Sequence, residues 1–448
     1  MPLPTAWRIR PPLRHPHDRE IWRLAVPAFG ALVAEPLFLL ADSAIVGRLG
    51  PAPLGGLGVA GQALAALVYV FVFLAYGTTA AVARRVGAGD LRAALRQGID
   101  GMWLALALGG AIVAAGLPLT GRIVAAFGAN AEVAPHAETY LRISLLGIPA
   151  MLVILAGTGV LRGLQDARTP LYVSVGSFAL NLVLNAVFVL VLGWGIAGSA
   201  WGTVIAQTGG AAVYAAVVLR GARRHGASVR PSRAGLHAAV SSGVHLLIRT
   251  LALRLVLIAG TAVAARMGTD ETAAYPVSFQ IWTLLAFTHD AIAIAGQAIT
   301  GRYLGAGDAA GARAATRRMV EWGVLSGLFF AVAVLAARPY LPALFTSDEG
   351  VRSALLAALL AVAALQPVAG VVFVLDGVLI GAGDMRYLAA TTALATAVFL
   401  PAALAAYRLE TGLTGLWTAL GLWMLTRLVT LGLRARGEAW LVTGAVRG

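Results

Sequence analysis

RRVGAGD (84–90) and RYLGAGD (302–308) are one loop met twice, 218 positions apart. The same offset relates VLRGLQDAR (160–168) to VLIGAGDMR (378–386), and Arg48 and Gly50 to Arg266 and Gly268. One spacing that holds across three loops marks a duplicated unit. Between the matched loops lie apolar runs of span length, about 20 residues each. The duplication therefore predicts two six-helix halves of the same orientation, parallel repeats related by an axis along the membrane normal. Neither loop is a phosphate cradle, because no Lys-Ser/Thr follows it and no strand precedes it. Its pattern is that of a tight turn with an Asp at the start of the next helix.

Composition agrees. The chain has 448 residues, 59% hydrophobic and only 12% charged, with a mean hydropathy of +0.82. Soluble domains carry about 25% charged residues, and the 53 glycines sit in apolar runs rather than polar tracts, which excludes disorder and collagen. The spans are predicted near 22–47, 54–82, 98–120, 138–161, 169–192 and 196–219. The second six lie near 240–266, 272–300, 321–337, 354–380, 387–407 and 412–433. The expected organisation is a tail 1–20, an N-lobe 21–219, a polar linker 220–238, a C-lobe 239–436 and a tail 437–448. The fold class is an all-α polytopic membrane protein of twelve helices.

All 34 basic residues are Arg, against 20 acidic ones, a net charge of +14. Alternate loops divide them unequally: 24 fall in the N-terminal stretch through Arg23, the 83–97 and 301–320 loops, the 162–168 turn, the linker, Arg386 and the C-terminus. By the positive-inside rule that side is cytoplasmic, with both termini. The N-terminal stretch lacks a short apolar core with a cleavage site and reads as an uncleaved tail. The basic charge then meets anionic lipid rather than nucleic acid, for which no finger spacing or basic-aromatic stripe is present. With no Cys there is no disulfide, thiolate metal site or Cys nucleophile. No HExxH, GxSxG or carboxylate-His cluster points to an enzyme, a metal or a cofactor.

Four carboxylates fall inside spans: Glu35, Asp42, Asp290 and Asp376. An ionisable group at that depth costs several kcal/mol unless paired or hydrated, so each is a functional candidate. Glu35 and Asp42 are seven residues apart, on one helix face and about 10.5 Å apart along the axis. Pro27 and Pro36 in the same helix each free a carbonyl one turn back and allow bending. Asn181 and Asn185 share a face of the fifth helix, and Thr203 and Gln207 repeat that spacing in the sixth. Each pair reads equally as cavity lining or as interhelical glue. In the second half Arg249 and Arg254 need a carboxylate or water, and Asp290 and Asp376 are the candidate partners. That network reads first as a structural ion pair. His245 and His289 read as satisfied polar groups, with proton carriage as the sharper alternative.

Several of these stretches resemble one family. VPAFGALVAEPLFLLADSAIVGRLG (26–50) resembles the first helix of the multidrug and toxic compound extrusion (MATE) transporters, closest to their DinF branch. LNLVLNAVFVL (180–190), IRTLALRL (248–255), HDAIAIAGQAITGRYLGAGD (289–308) and FVLDGVLIGAGDMR (373–386) resemble later motifs in the right order, so the likeness covers about residues 20–436. The resemblance implies a V-shaped two-lobe bundle and cation-coupled export of small amphipathic, often cationic, compounds, with protons the coupling ion in this branch and sodium still open. It implies that Asp42 is the coupling carboxylate, Pro27 the bending proline and Asn181 part of the N-lobe cavity. Where many relatives carry a second Asp, this chain has Asn185, which does not titrate. Glu35 is the residue expected to assist Asp42 instead.

The resulting expectation is a proton-coupled multidrug antiporter of a prokaryotic plasma (inner) membrane, contacting a small-molecule substrate and lipid, with no obligate protein partner. Asn181, Asn185, Thr203 and Gln207 are expected to line the substrate cavity. Arg249, Arg254, Asp290 and Asp376 form the C-lobe polar network. A major-facilitator transporter also has parallel six-helix repeats, but its G-x-x-x-D-R loop is replaced here by RRVGAGDLR. A lipid-linked precursor flippase of the same superfamily and a non-transporting scaffold or sensor remain as alternatives.

Overall fold

The computed structural model describes residues 15–447. Most of the expected tail 1–20 lies outside the described residues, and its end already belongs to the first helix. Fourteen α-helices and no strand are found among the described residues. In the first half these are α1 (Asp18–Gly47), α2 (Pro51–Val70), α3 (Phe73–Gly87), α4 (Leu91–Ala126), α5 (Ala134–Leu145), α6 (Ile148–Gly163), α7 (Arg168–Asn185) and α8 (Gly195–Arg224). A π-helical turn, Ala186–Val191, extends α7. The second half has α9 (Arg233–Met267), α10 (Thr269–Gly305), α11 (Ala309–Ala337), α12 (Glu349–Gly381), α13 (Met385–Arg408) and α14 (Gly412–Arg436). With α2–α3 as one span, eleven segments are long and apolar enough to cross a membrane, and the bent pair α5–α6, kinked by 51°, makes a twelfth.

The helices overrun the apolar runs. α11 begins at Ala309, twelve positions before the predicted span, and α8 and α9 leave only 225–232 as a connection where 220–238 was expected. Polar turns continue a helix into water at no cost, because its backbone bonds are already internal. The connection is pinned to α4: buried Asp100 accepts from the Ser232 backbone N–H (2.7 Å) and hydroxyl (2.9 Å), while the Ser232 Oγ caps α9 through Gly235 N–H.

The repeated loop does what its sequence predicts. Asp90 accepts from Ala93 N–H (2.8 Å) and caps α4; Asp308 accepts from Gly311 N–H (2.7 Å) and caps α11. Gly89 and Gly307 supply the left-handed turn at φ +78° and +79°. The two copies also meet. A Cβ on Gly87 would strike the Arg302 carbonyl, and one on Gly305 would strike the Arg84 carbonyl, so α3 and α10 cross with backbones in reciprocal contact. Only glycine permits that approach.

The lobes are tied together at this end. Asp18 pairs with Arg318 (2.6 Å) and Glu20 with Arg302 (2.5 Å), Trp22 packs edge-on against Trp322, and the Gln165 amide donates to Ala298 O (2.9 Å). Arg84 donates to Ala382 O (3.1 Å) and, in the tail after α14, to Val442 O and Gly444 O. Among the described residues no hydrogen bond or ion pair joins the lobes at the far ends of α1–α2 and α9–α10. The polar ties between the lobes therefore gather, among the described residues, at the GAGD end.

Candidate functional site

Asp42 lies near the far end of α1 and is buried (3% exposed) between α7 and α8. Its Oδ1 accepts from the Asn185 amide (2.5 Å) and from the Ser199 hydroxyl (2.9 Å). The polar chain continues: Thr203 Oγ1 donates to Ser199 O (3.1 Å) and accepts from the Asn181 amide (2.9 Å). Buried Tyr140 reaches this group from α5, beside Ser199, Thr203 and Ser144 and within electrostatic range of Asp42. Four helices therefore converge on one carboxylate. A close approach allows it, since a Cβ on Gly202 of α8 would collide with Asn185 Oδ1.

The acceptors outnumber the donors. Asn181 Oδ1 and Asn185 Oδ1 are buried without a hydrogen-bond partner, and both bonds to Asp42 fall on Oδ1. Orphaned buried acceptors are costly in a low-dielectric interior. A carboxylate and two spare amide oxygens are all hard oxygen donors.

The other sequence-derived candidates are distributed as follows. Gln207, one turn beyond Thr203, turns to Met151 and the α5–α6 break at Gly147, away from Asn181. Glu35 is exposed, has no hydrogen-bond or ion-pair partner among the described residues, and lies within electrostatic range of Tyr69. Its shared face with Asp42 does not bring it into the Asp42 hydrogen-bond group, because Asp42 is level with Asn185 and Ser199 and Glu35 is two turns away. α1 runs unbroken through Pro27 and Pro36.

In the C-lobe, Asp376 is clasped by two arginines: an ion pair with Arg249 and a second with Arg427 at 3.4 Å, all three buried. Arg427, inside the predicted 412–433 span but given no partner there, is thus a full member. Asp290 lies within electrostatic range of Arg249, Asp376, Arg427 and Arg162 but makes no direct ion pair. Arg254 leaves the group and lies 3.7 Å over the Tyr69 ring of the other lobe, a cation–π contact that satisfies a guanidinium without a carboxylate. His289 is buried with Gln366 (3.2 Å) and Ser326 (3.3 Å) as partners, and His245 contacts Ser241 O (3.0 Å). Ser199 and Tyr140 in the N-lobe group and Arg427 in the clasp escaped the sequence reading. Only the i+4 spacing from Ser199 to Thr203 pointed to the first of them.

Comparison with known proteins follows the same division. The MatE family profile matches residues 27–187 and again 246–406. The two matches start 219 positions apart, one residue from the offset of the repeated loops. Protein DETOXIFICATION 44, chloroplastic, of Arabidopsis thaliana is 30% identical over 430 residues, covering 92% of this chain and 80% of the relative. DNA damage-inducible protein F of Escherichia coli K12 is 30% identical over 388 residues, covering 85% and 84%. A MOP superfamily transporter from Pyrococcus furiosus shares the fold with a TM-score of 0.84 at 23% identity, over 93% of this chain and 95% of that one.

Proposed function

The chain belongs to the MatE family, the multidrug and toxic compound extrusion transporters, and on that footing we propose that it is a proton-coupled antiporter. It exports small amphipathic or cationic organic compounds, and Asp42 carries the coupling proton. The observation that carries this reading is the Asp42 pocket: a buried carboxylate held on one oxygen by Asn185 and Ser199, with two orphaned amide oxygens nearby. A carboxylate sealed from water favours its protonated form, and one opened to water releases the proton. Loading and release then follow the exposure of the pocket as the lobes rock.

Glu35 stands unpaired on the same helix two turns towards the GAGD end, where it assists by exchanging protons with the cleft. The Asp376 clasp serves geometry, since its carboxylate holds two guanidiniums in direct contact with Asp290 within electrostatic range. Asn181, Asn185 and Thr203 shape the N-lobe side of the cavity. The Arg-rich GAGD end faces the cytoplasm of a bacterial inner membrane, so the polar ties gathered there hold the cytoplasmic side closed. The orphaned amide oxygens favour sodium as a second reading for the coupling ion, because they are ligands a bare proton does not need.

The test is dye or drug flux in proteoliposomes under an imposed pH gradient, for wild type and Asp42→Asn, each with and without sodium. Flux driven by pH alone and abolished by the substitution supports the proton reading. Flux that requires sodium replaces the ion and keeps the carboxylate. Undiminished flux in Glu35→Gln removes Glu35 from the scheme.

A further inference from the structure

A cavity of about 710 Å³ opens at the GAGD end between α3 and α4 of one lobe and α9, α13 and the tail after α14 of the other. Its rim is basic: Arg84, Arg85, Arg386, Arg434 and Arg447 line it, with Asp384 as the one carboxylate among the lining residues. Asp384 is already shared by Arg434 (2.7 Å) and Arg447 (3.1 Å), and Arg84 is spent on three carbonyls. Arg85 donates only to Ala81 O in its own helix (3.0 Å), and Arg386 is exposed with no hydrogen-bond or ion-pair partner among the described residues. Away from the rim the wall turns apolar, with Phe73, Leu74, Leu104 and Ala390. Leu104 stands thirteen positions along α4 from Leu91, about 20 Å at 1.5 Å per residue.

The repeat supplies an internal control. The equivalent groove lies between α10–α11 and α1, and there a smaller recess of about 420 Å³ remains beside counter-charges that the chain itself supplies. α1 inserts Asp18 and Glu20 against Arg318 and Arg302, and Trp22 packs on Trp322. At the matching positions α9 carries Leu236 and Ala238. One groove therefore receives two carboxylates and an aromatic side chain from its own chain. Its counterpart has a basic rim without a carboxylate paired to Arg85 or Arg386 among the described residues, Asp90 and Asp100 lying only within electrostatic range of Arg85, above a wall of apolar and small polar side chains.

We propose that this groove binds an anionic phospholipid, its phosphate between Arg85 and Arg386 and an acyl chain along Phe73 and Leu104. Both lobes contribute to it, so the lipid bridges them and holds the GAGD end closed. A basic recess that leads into hydrocarbon matches the charge and shape of such a headgroup and its chain. A soluble anion satisfies only the rim.

Native mass spectrometry of the detergent-purified protein, titrated with phosphatidylglycerol or phosphatidylcholine, tests this. Each arginine near an anionic headgroup is worth about 1 kcal/mol, roughly five-fold in binding. Arg85→Gln/Arg386→Gln is therefore expected to lose roughly 25-fold of the phosphatidylglycerol preference. Arg85→Lys/Arg386→Lys keeps most of it and controls for folding. Arg223→Gln/Arg224→Gln removes equal charge at the same end, outside the groove, and leaves the preference intact. Equal binding of both lipids by wild type overturns the proposal. So does an equal loss in the 223/224 variant, or displacement of phosphatidylglycerol by inorganic phosphate. The readout is lipid occupancy, so it stands or falls separately from the coupling ion and the exported compound.

Discussion

Asp42 takes both of its hydrogen bonds on one oxygen, and that determines which neighbours hold it. A buried hydrogen bond contributes about 0.5–1.5 kcal/mol to a neutral partner and about 1.5–3 kcal/mol to a charged one. Ser199→Ala is therefore expected to lower the melting temperature in detergent, and the same change on an Asp42→Asn background to cost measurably less. Additive losses across that double-mutant cycle remove Ser199 from the pocket. Asp376 makes the opposite kind of residue-scale prediction. Asp376→Asn leaves Arg249 and Arg427 buried against a neutral group, at a cost of about 3–5 kcal/mol. Thermal unfolding will show that loss, and flux per folded molecule at low temperature will stay near wild type where the clasp is structural. The carboxylates were legible because a charge in an apolar run has no cheap explanation. Ser199 and Tyr140 were not, because a lone hydroxyl is tolerated in any span and nothing local shows that it reaches a carboxylate on another helix. Arg427 escaped for a third reason: its partner comes from α12, about fifty residues earlier, and no local pattern joins them.

At the scale of elements, the GAGD loops show how a short motif fixes a junction. Asp90→Ala and Asp308→Ala each remove an N-cap, a loss of about 1 kcal/mol that equilibrium unfolding in mild detergent will measure. Gly87→Ala and Gly305→Ala act between elements: a methyl group there meets the opposing Arg carbonyl, backbone that has no rotamer to escape into. Overpacking of that kind costs about 1–3 kcal/mol, and here it also pushes α3 from α10. An introduced cysteine at Ala88 is expected to react faster with a water-soluble maleimide in either alanine variant than in wild type. Unchanged labelling would mean that the crossing relaxes without opening. Sequence periodicity found the span count but missed the break at 71–72 between α2 and α3 and the bend at 146–147 between α5 and α6. The first lies within an apolar run whose composition does not change at the break; the second is marked by Gly147 and Pro149, which a span-length hydropathy window does not weigh. The helix ends beyond the hydrocarbon were missed for the converse reason, since hydropathy drops there while the backbone bonding continues.

The whole molecule has one closed end, and it is built from contacts that differ between its two halves. Across the groove beside α1 the lobes are joined by Asp18–Arg318 and Glu20–Arg302, which are charge pairs; across the other they are joined through Arg84 and the carbonyls of the tail after α14. A rocking motion that opens this end must break both sets and part the reciprocal glycine crossing. Export by alternating access requires that opening, so a covalent tie across the crossing is expected to stop it. Because the chain has no cysteine of its own, Ala83→Cys/Gly301→Cys gives a clean pair. A Cβ on Gly301 would lie 2.8 Å from the Ala83 Cβ, and a disulfide, which wants about 3.5–4.5 Å, needs the helices to part by only about 1 Å. Oxidation is expected to take flux to the level of empty liposomes and a reductant to restore it, with each single-cysteine variant unaffected by either. Flux that persists in the fully oxidised pair would show that substrate crosses without this end opening, and the rocking scheme would give way to a path within one lobe.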